Sequence, residues 1–270
     1  MILNIEQYIE NKINILKEKY KSIDNPMLYI FTDDKDGATA SYKKSKIKLG
    51  ERMCVKVEIV VISSEEEMIF YLEKVSKENA GCILQLPFQN KSVVDYYMNY
   101  KTKKDIDGFF NIQDVFDEKY DIAPCTPKGI YYYIKYFIGN IRDKHVVLVG
   151  RGNLTNKPLS IMMLNEGATV SIVNSKTSND TKLKLLKDAD IVVCSTGVKG
   201  SVKTSELSDI KNVLVFNCGI VFDENYKLDT ELLIDIDKKN IAYTPRIKGV
   251  GLLTTYTLFE NLYNLLKGDN

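Results

Sequence analysis

The chain has 270 residues, 44% hydrophobic and 27% charged, with 37 basic side chains against 36 acidic ones. That length supplies one large or two ordinary domains with a full core. The even charge balance excludes a general nucleic-acid or membrane-surface binder, and no apolar run approaches the roughly 20 residues of a membrane span. The first twenty residues are charged throughout and carry no signal-peptide core, so a cytoplasmic location is expected. The five cysteines are odd in number and never spaced CxxC, and there is one histidine. A zinc cluster is therefore excluded from the reading, and no metal is expected. Cys54, Cys82, Cys194 and Cys218 sit in strand-like apolar runs and are expected to be buried, reduced thiols.

In chain order, Ile5, Ile9, Ile13 and Leu16 give residues 4–22 helical spacing. MLYIFT at 27–32 reads as a strand. A lysine-rich helix follows over 38–50, then a strand over 53–62. Met68, Tyr71, Leu72 and Val75 share one face of a helix over 64–79. GCILQLP at 81–87 is a short apolar strand stopped by Pro87. Further helices are expected over 92–100 and over 127–139, the latter with Pro127 in its first turn. The spacing then alternates as βαβ units do: strand 145–150, helix 155–166, strand 168–173, helix 180–187, strand 190–194 and strand 213–217. A last helix, about 254–267, follows a glycine-rich turn at 248–251. The composition shift at 140–144 marks the expected domain boundary, with the final helix packing back on the first domain.

Residues 146–176 read as buried strand, glycine turn, helix and second buried strand, half of a dinucleotide-binding unit. Gly150 and Gly152 would let backbone N–H groups approach a phosphate at the helix N-terminus. A plain strand-to-helix turn also favours glycine, so the spacing alone leaves both readings open. The second strand ends in Asn174, Ser175 and Lys176, with no acid to bind ribose hydroxyls. Arg151 and Ser175 suit a 2′-phosphate, which favours NADP over NAD; Arg151 and Lys176 are equally compatible with solvated charge.

In the first half, Tyr42 and Lys46 stand at i and i+4 on one helix face. Lys43, Lys44 and Lys48 read as a solvated basic face, and Lys46 is the lysine most able to point inward. A partly desolvated lysine has a lowered pKa and can transfer protons near neutral pH. Gln85 between two leucines either caps a strand or faces a cleft. Asp107-Gly108 is compatible with a simple turn. His145 starts a strand and neighbours no obvious nucleophile, so Ser-His and Cys-His hydrolase chemistry is not expected.

Six segments in order resemble the bifunctional methylenetetrahydrofolate dehydrogenase/cyclohydrolase family. They are YKKSK (42–46), GCILQLP (81–87), KDIDGF (104–109), PCTPKG (124–129), VLVGRGNLTNKP (147–158) and KGVGLLT (248–254). The resemblance implies two α/β domains around a cleft, the second Rossmann-like and dinucleotide-binding, usually in a homodimer. The expected domains are residues 1–139 with 254–270 for folate and residues 140–253 for NADP. It further implies NADP-dependent oxidation of 5,10-methylenetetrahydrofolate and hydrolysis of 5,10-methenyltetrahydrofolate to 10-formyltetrahydrofolate, within the one-carbon metabolism that serves purine biosynthesis.

By the same resemblance, Lys46 is the expected catalytic lysine, Gln85 its hydrogen-bonded partner, and Asp107 the acid that binds the pterin ring. Tyr42, Leu86, Pro87, Gly251 and Thr254 are expected to contact substrate. Gly150, Arg151, Gly152, Asn153, Ser175, Thr196, Gly197, Gly219 and Ile220 are expected to contact the cofactor. The chain departs from the family pattern at Gly152, where serine is usual, at Asn156, where glycine is usual, at Phe110-Asn111 after DGF, at Asn217 in the strand that usually reads IDVG, and across 247–254. These departures leave two alternatives to the bifunctional enzyme: a cyclohydrolase with weak or lost dehydrogenase activity, and a non-catalytic folate- or nucleotide-binding relative.

Overall fold

The structure, a computed structural model, describes residues 1–33, 40–218, 221–222 and 228–268, without the side chains of residues 40–42, 222 and 228. The chain divides into two compact units: Glu10–Cys125 with Thr255–Asn270, and Met1–Ile9 with Thr126–Thr254. Among the described residues, no helix is long and apolar enough to cross a membrane and no group of side chains could hold a metal ion.

The first unit is built from α1 (Ile5–Tyr20), β1 (Met27–Thr32), α2 (Ala40–Met53), β2 (Lys56–Val61), α3 (Glu65–Ser76), β3 (Ala80–Leu84), α4 (Lys91–Tyr100) and the short α5 (Ile112–Phe116). The strands form a parallel sheet in the order β2-β1-β3. All five residues of β3 and five of the six in β1 are buried, which is why both read as continuous apolar runs. Ser64 caps α3 by accepting from the Glu67 backbone N–H, and Asn90 caps α4.

Residues 104–106 run beside β3, with Cys82 N donating to Lys104 O at 2.8 Å and Ile106 N to Cys82 O at 3.1 Å. Three things fix the turn that follows. Gly108 has φ +83°, and a Cβ there would lie 2.5 Å from Pro124 N. The buried Asp105 carboxylate accepts from Gly108 N at 2.9 Å, Phe109 N at 2.8 Å and the Tyr97 hydroxyl at 2.8 Å. From the last helix, α9 (Val250–Lys267), the fully buried Asn261 donates to Ile106 O at 3.0 Å and Ala123 O at 2.8 Å.

The second unit carries α6 (Cys125–Ile138), β4 (His145–Val149), α7 (Asn156–Asn165), β5 (Thr169–Val173), α8 (Asn179–Asp188), β6 (Ile191–Cys194), β7 (Val202–Lys203), β8 (Val213–Asn217), β9 (Val221–Phe222), β10 (Leu228–Asp229), β11 (Leu232–Leu233) and β12 (Ile241–Tyr243). Five strands form a parallel sheet in the order β12-β8-β6-β4-β5. The order reverses between β4 and β6, so the crevice outside their carboxyl ends is where such a sheet takes a ligand. The sequence reading places α6 with the first domain; its residues from Thr126 on group with the second unit, where Tyr133 meets Phe216 and Tyr8 edge-on.

Most predicted elements lie within two or three residues of the observed ones, with four departures. The last helix starts at Val250, so Gly251 sits in its first turn rather than in a preceding loop. The short strands β7 and β9 to β12, and α5, have too few residues for a visible period. Cys54 is exposed, in the turn after α2 with φ 59°, whereas Cys82 and Cys194 are buried and Cys218 is partly so. Lys43 is fully buried, not solvated, and has interaction partners.

Gly150 has φ +108°, and a Cβ there would lie 2.3 Å from the Ser195 carbonyl oxygen. At Gly152 a Cβ would meet nothing within 4 Å. Gly150→Ala is expected to cost at least about 3 kcal/mol of unfolding free energy and Gly152→Ser less than about 0.5 kcal/mol, measured by urea denaturation. Equal losses would show that the Gly150 backbone is not held as described.

Burial, and then the like charge of Asp107, raise the Asp105 carboxyl to about 7, against the pull of its three donors. The folded state therefore holds this proton more tightly than the unfolded chain does. Its contribution to stability is present below about pH 4 and lost as pH rises to about 7. Asp105→Asn removes that loss, so its stability relative to wild type should rise by up to a few kcal/mol between pH 4 and pH 8. A constant difference across that range would contradict the assignment.

Candidate active and dinucleotide sites

At the carboxyl end of β3 the chain leaves the sheet through Gln85, whose N–H still donates to Phe31 O at 2.8 Å. The Gln85 amide is oriented by its surroundings. Its Nε2 donates to Leu86 O at 2.9 Å, and its Oε1 accepts from Lys46 Nζ at 2.6 Å. A carbonyl can only accept and an ammonium or amine N–H can donate, so no flipped amide satisfies both partners. Lys46 reaches this point from α2, two turns before the helix ends at Met53.

Burial lowers the Lys46 pKa, and the charge of Lys43 on the same helix adds to the effect; Asp107 and Cys125 oppose it. Burial also raises the Asp107 carboxyl, opposed by the charge of Lys46 and by the Cys125 thiol. The Cys125 thiol donates to Ile106 O at 3.2 Å and lies 3.4 Å from Asn261 Nδ2. One cluster in the first unit thus combines a desolvated amine, a neutral amide acceptor and a carboxyl that interacts with the amine electrostatically. That combination can accept and return a proton below the ordinary lysine range.

Of the other residues expected to contact substrate, Leu86 is half-buried and packs on the apolar cluster of this unit, and Pro87 is exposed. Tyr42 lies in α2, but its side chain is outside the described residues. Gly251 and Thr254 fall in the second unit, where the Thr254 hydroxyl meets that of Thr126 at 3.0 Å.

Of the residues expected to contact the cofactor, the described ones lie after β4, β5 and β6, at one edge of the second sheet. Gly150 follows β4, with Arg151, Gly152 and Asn153 exposed beside it. Ser175 follows β5, in a turn closed by Asn174 Oδ1 accepting from Lys176 N at 3.0 Å. Thr196 and Gly197 follow β6 and are exposed. Gly219 and Ile220 lie outside the described residues. Asn156 is fully buried at the start of α7, and its Nδ2 donates to Val149 O at 3.1 Å and Gly150 O at 3.0 Å. Its Oδ1 is buried with no hydrogen-bond partner. The side chain ties helix to strand where the N-cap Thr155 makes no side-chain cap bond.

His145 differs from expectation. Its Nε2 lies 2.9 Å from the Ser171 hydroxyl and its Nδ1 3.6 Å from Asp188. The pair arises because Ser171 sits opposite Val147 in the register of β5 against β4, close to the strand's start. It lies at the opposite end of β4 from the glycine turn, and Ser171 is held within a strand rather than presented on a turn.

Three residues that the sequence reading passed over frame these sites: Asp105, Asn261 and Glu231. Asp105 was visible as the first acid of a D-x-D pair in KDIDGF, and Asn261 as a polar residue on the apolar face of α9. Glu231 gave no signal, since it sits in a loop whose partners are distant in sequence.

Residues 124–270 match the family described as the NAD(P)-binding domain of tetrahydrofolate dehydrogenase/cyclohydrolase. A bifunctional protein FolD of Staphylococcus epidermidis is 31% identical over 264 residues, covering 94% of this chain and 90% of its own length. One from Pediococcus pentosaceus is 30% identical over 253 residues, covering 90% and 88%. In fold, the chain is similar to the bifunctional enzyme FolD of Campylobacter jejuni, with TM-score 0.87, 24% identity and coverage of 100% and 99%. It is also similar to the Trypanosoma brucei FolD complexed with NADP cofactor and inhibitor, with TM-score 0.84, 22% identity and coverage of 100% and 98%. With its lysine–glutamine pair in one unit and its glycine turn in the other, the chain belongs to the tetrahydrofolate dehydrogenase/cyclohydrolase family.

Proposed function

We propose that the chain oxidises 5,10-methylenetetrahydrofolate with NADP⁺ and hydrolyses the 5,10-methenyltetrahydrofolate formed to 10-formyltetrahydrofolate. The observation that carries this reading is the 2.6 Å contact between Lys46 Nζ and Gln85 Oε1, with the lysine pKa lowered by burial. The methenyl substrate is a cation at the carbon between its two nitrogens. A charged lysine would repel it and could take no proton. A neutral Lys46 accepts a proton from the water whose oxygen bonds to that carbon. It returns the proton to the pterin nitrogen as the carbon–nitrogen bond breaks, while the hydroxyl on that carbon loses its proton to solvent and becomes the C=O of the formyl group left on the other nitrogen. Gln85 holds the amine by accepting its hydrogen bond without adding the negative charge that would restore the lysine's ordinary pKa. Asp107 suits the pterin ring, whose amino and ring N–H groups are donors.

The second unit fits a dinucleotide. A Cβ at Gly152 or Gly197 would meet nothing within 4 Å, so backbone can approach a ligand there without obstruction. Gly150, Arg151, Gly152 and Asn153 would hold the phosphates, Ser175 with Arg151 the 2′-phosphate, and Thr196 with Gly197 the far end of the cofactor. NADP⁺ supplies the hydride acceptor. Asn156 is fully buried, with its amide nitrogen spent on Val149 O and Gly150 O, which favours retained dehydrogenase activity over a lost one. The reading extends to a cytoplasmic homodimer in the one-carbon metabolism that serves purine biosynthesis.

Lys46→Met should lower methenyl hydrolysis by about 10²-fold or more while leaving NADP⁺ binding unchanged. Turnover near wild type would remove the lysine from the mechanism. Hydrolysis should rise with pH as Lys46 loses its proton, below the ordinary lysine value of about 10.4. Gln85→Glu places a carboxylate against the amine and should move this rise to higher pH, read from the pH profile of methenyl hydrolysis. An unmoved profile would mean that the amine is not the titrating group.

A further inference from the structure

The loop after β6 is held from behind by a side chain assigned to neither site. Glu231 is fully buried. Its Oε1 accepts from Thr196 N at 2.5 Å, Gly197 N at 2.5 Å and the Thr196 hydroxyl at 2.7 Å. That hydroxyl in turn accepts from Val198 N at 3.0 Å. The whole turn from Thr196 to Val198 is thus shaped around one carboxylate oxygen.

Glu231 is itself fixed on both sides. Its N–H donates to Asn217 Oδ1 at 3.0 Å, at the end of β8, while Asn217 Nδ2 donates to the Thr230 hydroxyl at 2.6 Å. Asparagine can accept and donate at once, where aspartate could only accept. On the other side, Val202 N donates to Glu231 O at 3.2 Å, and the pairing of β11 with β7 begins at the next residue, Leu232. The carboxylate is therefore tied to the ends of β6 and β8, in the same sheet as the glycine turn.

The geometry points to Glu231 as a positioning residue for the dinucleotide: it sets the Thr196–Gly197 turn against which the cofactor's far, phosphate-free end would rest. Two backbone N–H groups that a bare loop would turn toward any anion are committed to an internal carboxylate. Charge-assisted bonds of this kind are short and strong. The turn then presents open space above Gly197 and no free amides, which leaves phosphate recognition to the turn at Gly150–Gly152. Glu231 touches neither cofactor nor substrate; it acts through Thr196 and Gly197. This inference rests on the proposed NADP-linked reaction.

The test compares wild type, Glu231→Gln and Glu231→Ala in three measurements on the whole chain: calorimetric titration with NADP⁺, steady-state methylene oxidation, and methenyl hydrolysis without NADP⁺. In Glu231→Ala, Kd and KM for NADP⁺ should rise about tenfold or more, with dehydrogenase kcat falling less than about threefold and methenyl hydrolysis staying within about twofold. Glu231→Gln keeps an acceptor oxygen and should show a rise of only about two- to fourfold. General damage to the fold would lower both activities together, and that result overturns the proposal, as does an unchanged KM for NADP⁺ in a folded Glu231→Ala. If Glu231→Ala does not fold, Glu231→Gln decides: an unchanged Kd overturns the proposal and a selective rise supports it. A wild-type chain that neither binds NADP⁺ nor oxidises the methylene substrate refutes the function on which the proposal rests.

Discussion

Backbone amides that a parallel sheet leaves unpaired at its carboxyl edge must find acceptors, and both units meet this demand with a buried carboxylate. In the first unit Asp105 takes the N–H groups of Gly108 and Phe109. In the second Glu231 takes those of Thr196 and Gly197. Each carboxylate lies next to a loop that carries expected site residues, and each is fastened by further polar partners. A buried charge is tolerable only when hydrogen bonds replace its lost water. The same bonds therefore satisfy the loop, offset part of the cost of the charge and fix the shape presented to a ligand.

The two sites nonetheless use charge in opposite ways. Around Lys46 the fold suppresses it: burial and Lys43 disfavour the ammonium, and the acceptor at Gln85 is a neutral amide. Around Thr196 and Gly197 the fold places a carboxyl oxygen behind the backbone, where it accepts three hydrogen bonds. Acid–base chemistry needs a group that can change protonation state at working pH.

The fold was legible wherever burial was complete on both faces of a strand. β1, β3, β4, β6 and β8 were readable as apolar runs because helices cover both sides of a parallel sheet. Lys46 and Gln85 were legible as unusual residues, an inward lysine and a polar residue between leucines, but their meeting at 2.6 Å was not. Lys43 was misread because a run of lysines resembles a solvated face, and helix geometry alone does not say which of them turns inward. The Ser171–His145 pair escaped notice because strand register, not local spacing, brings it together. Asn156 read as an intrusion beside a phosphate turn, yet its amide is spent on Val149 and Gly150 carbonyls. Glu231 was invisible because the Thr196 and Gly197 donors it holds lie 34 and 35 residues away.

Asn261 ties order of synthesis to order of folding. It supplies the donors for Ile106 O and Ala123 O from a helix near the end of the chain, and the first unit is completed only by Thr255–Asn270. A ribosome releases residues 126–249 before that helix emerges, so the glycine-turn sheet has its whole sequence available while the lysine-bearing one still lacks a wall. Domains generally fold as units during synthesis. Here the unit whose sheet is translated first is the one that must wait longest, with the carbonyls of Ile106 and Ala123 left to water until the last turns of α9 arrive.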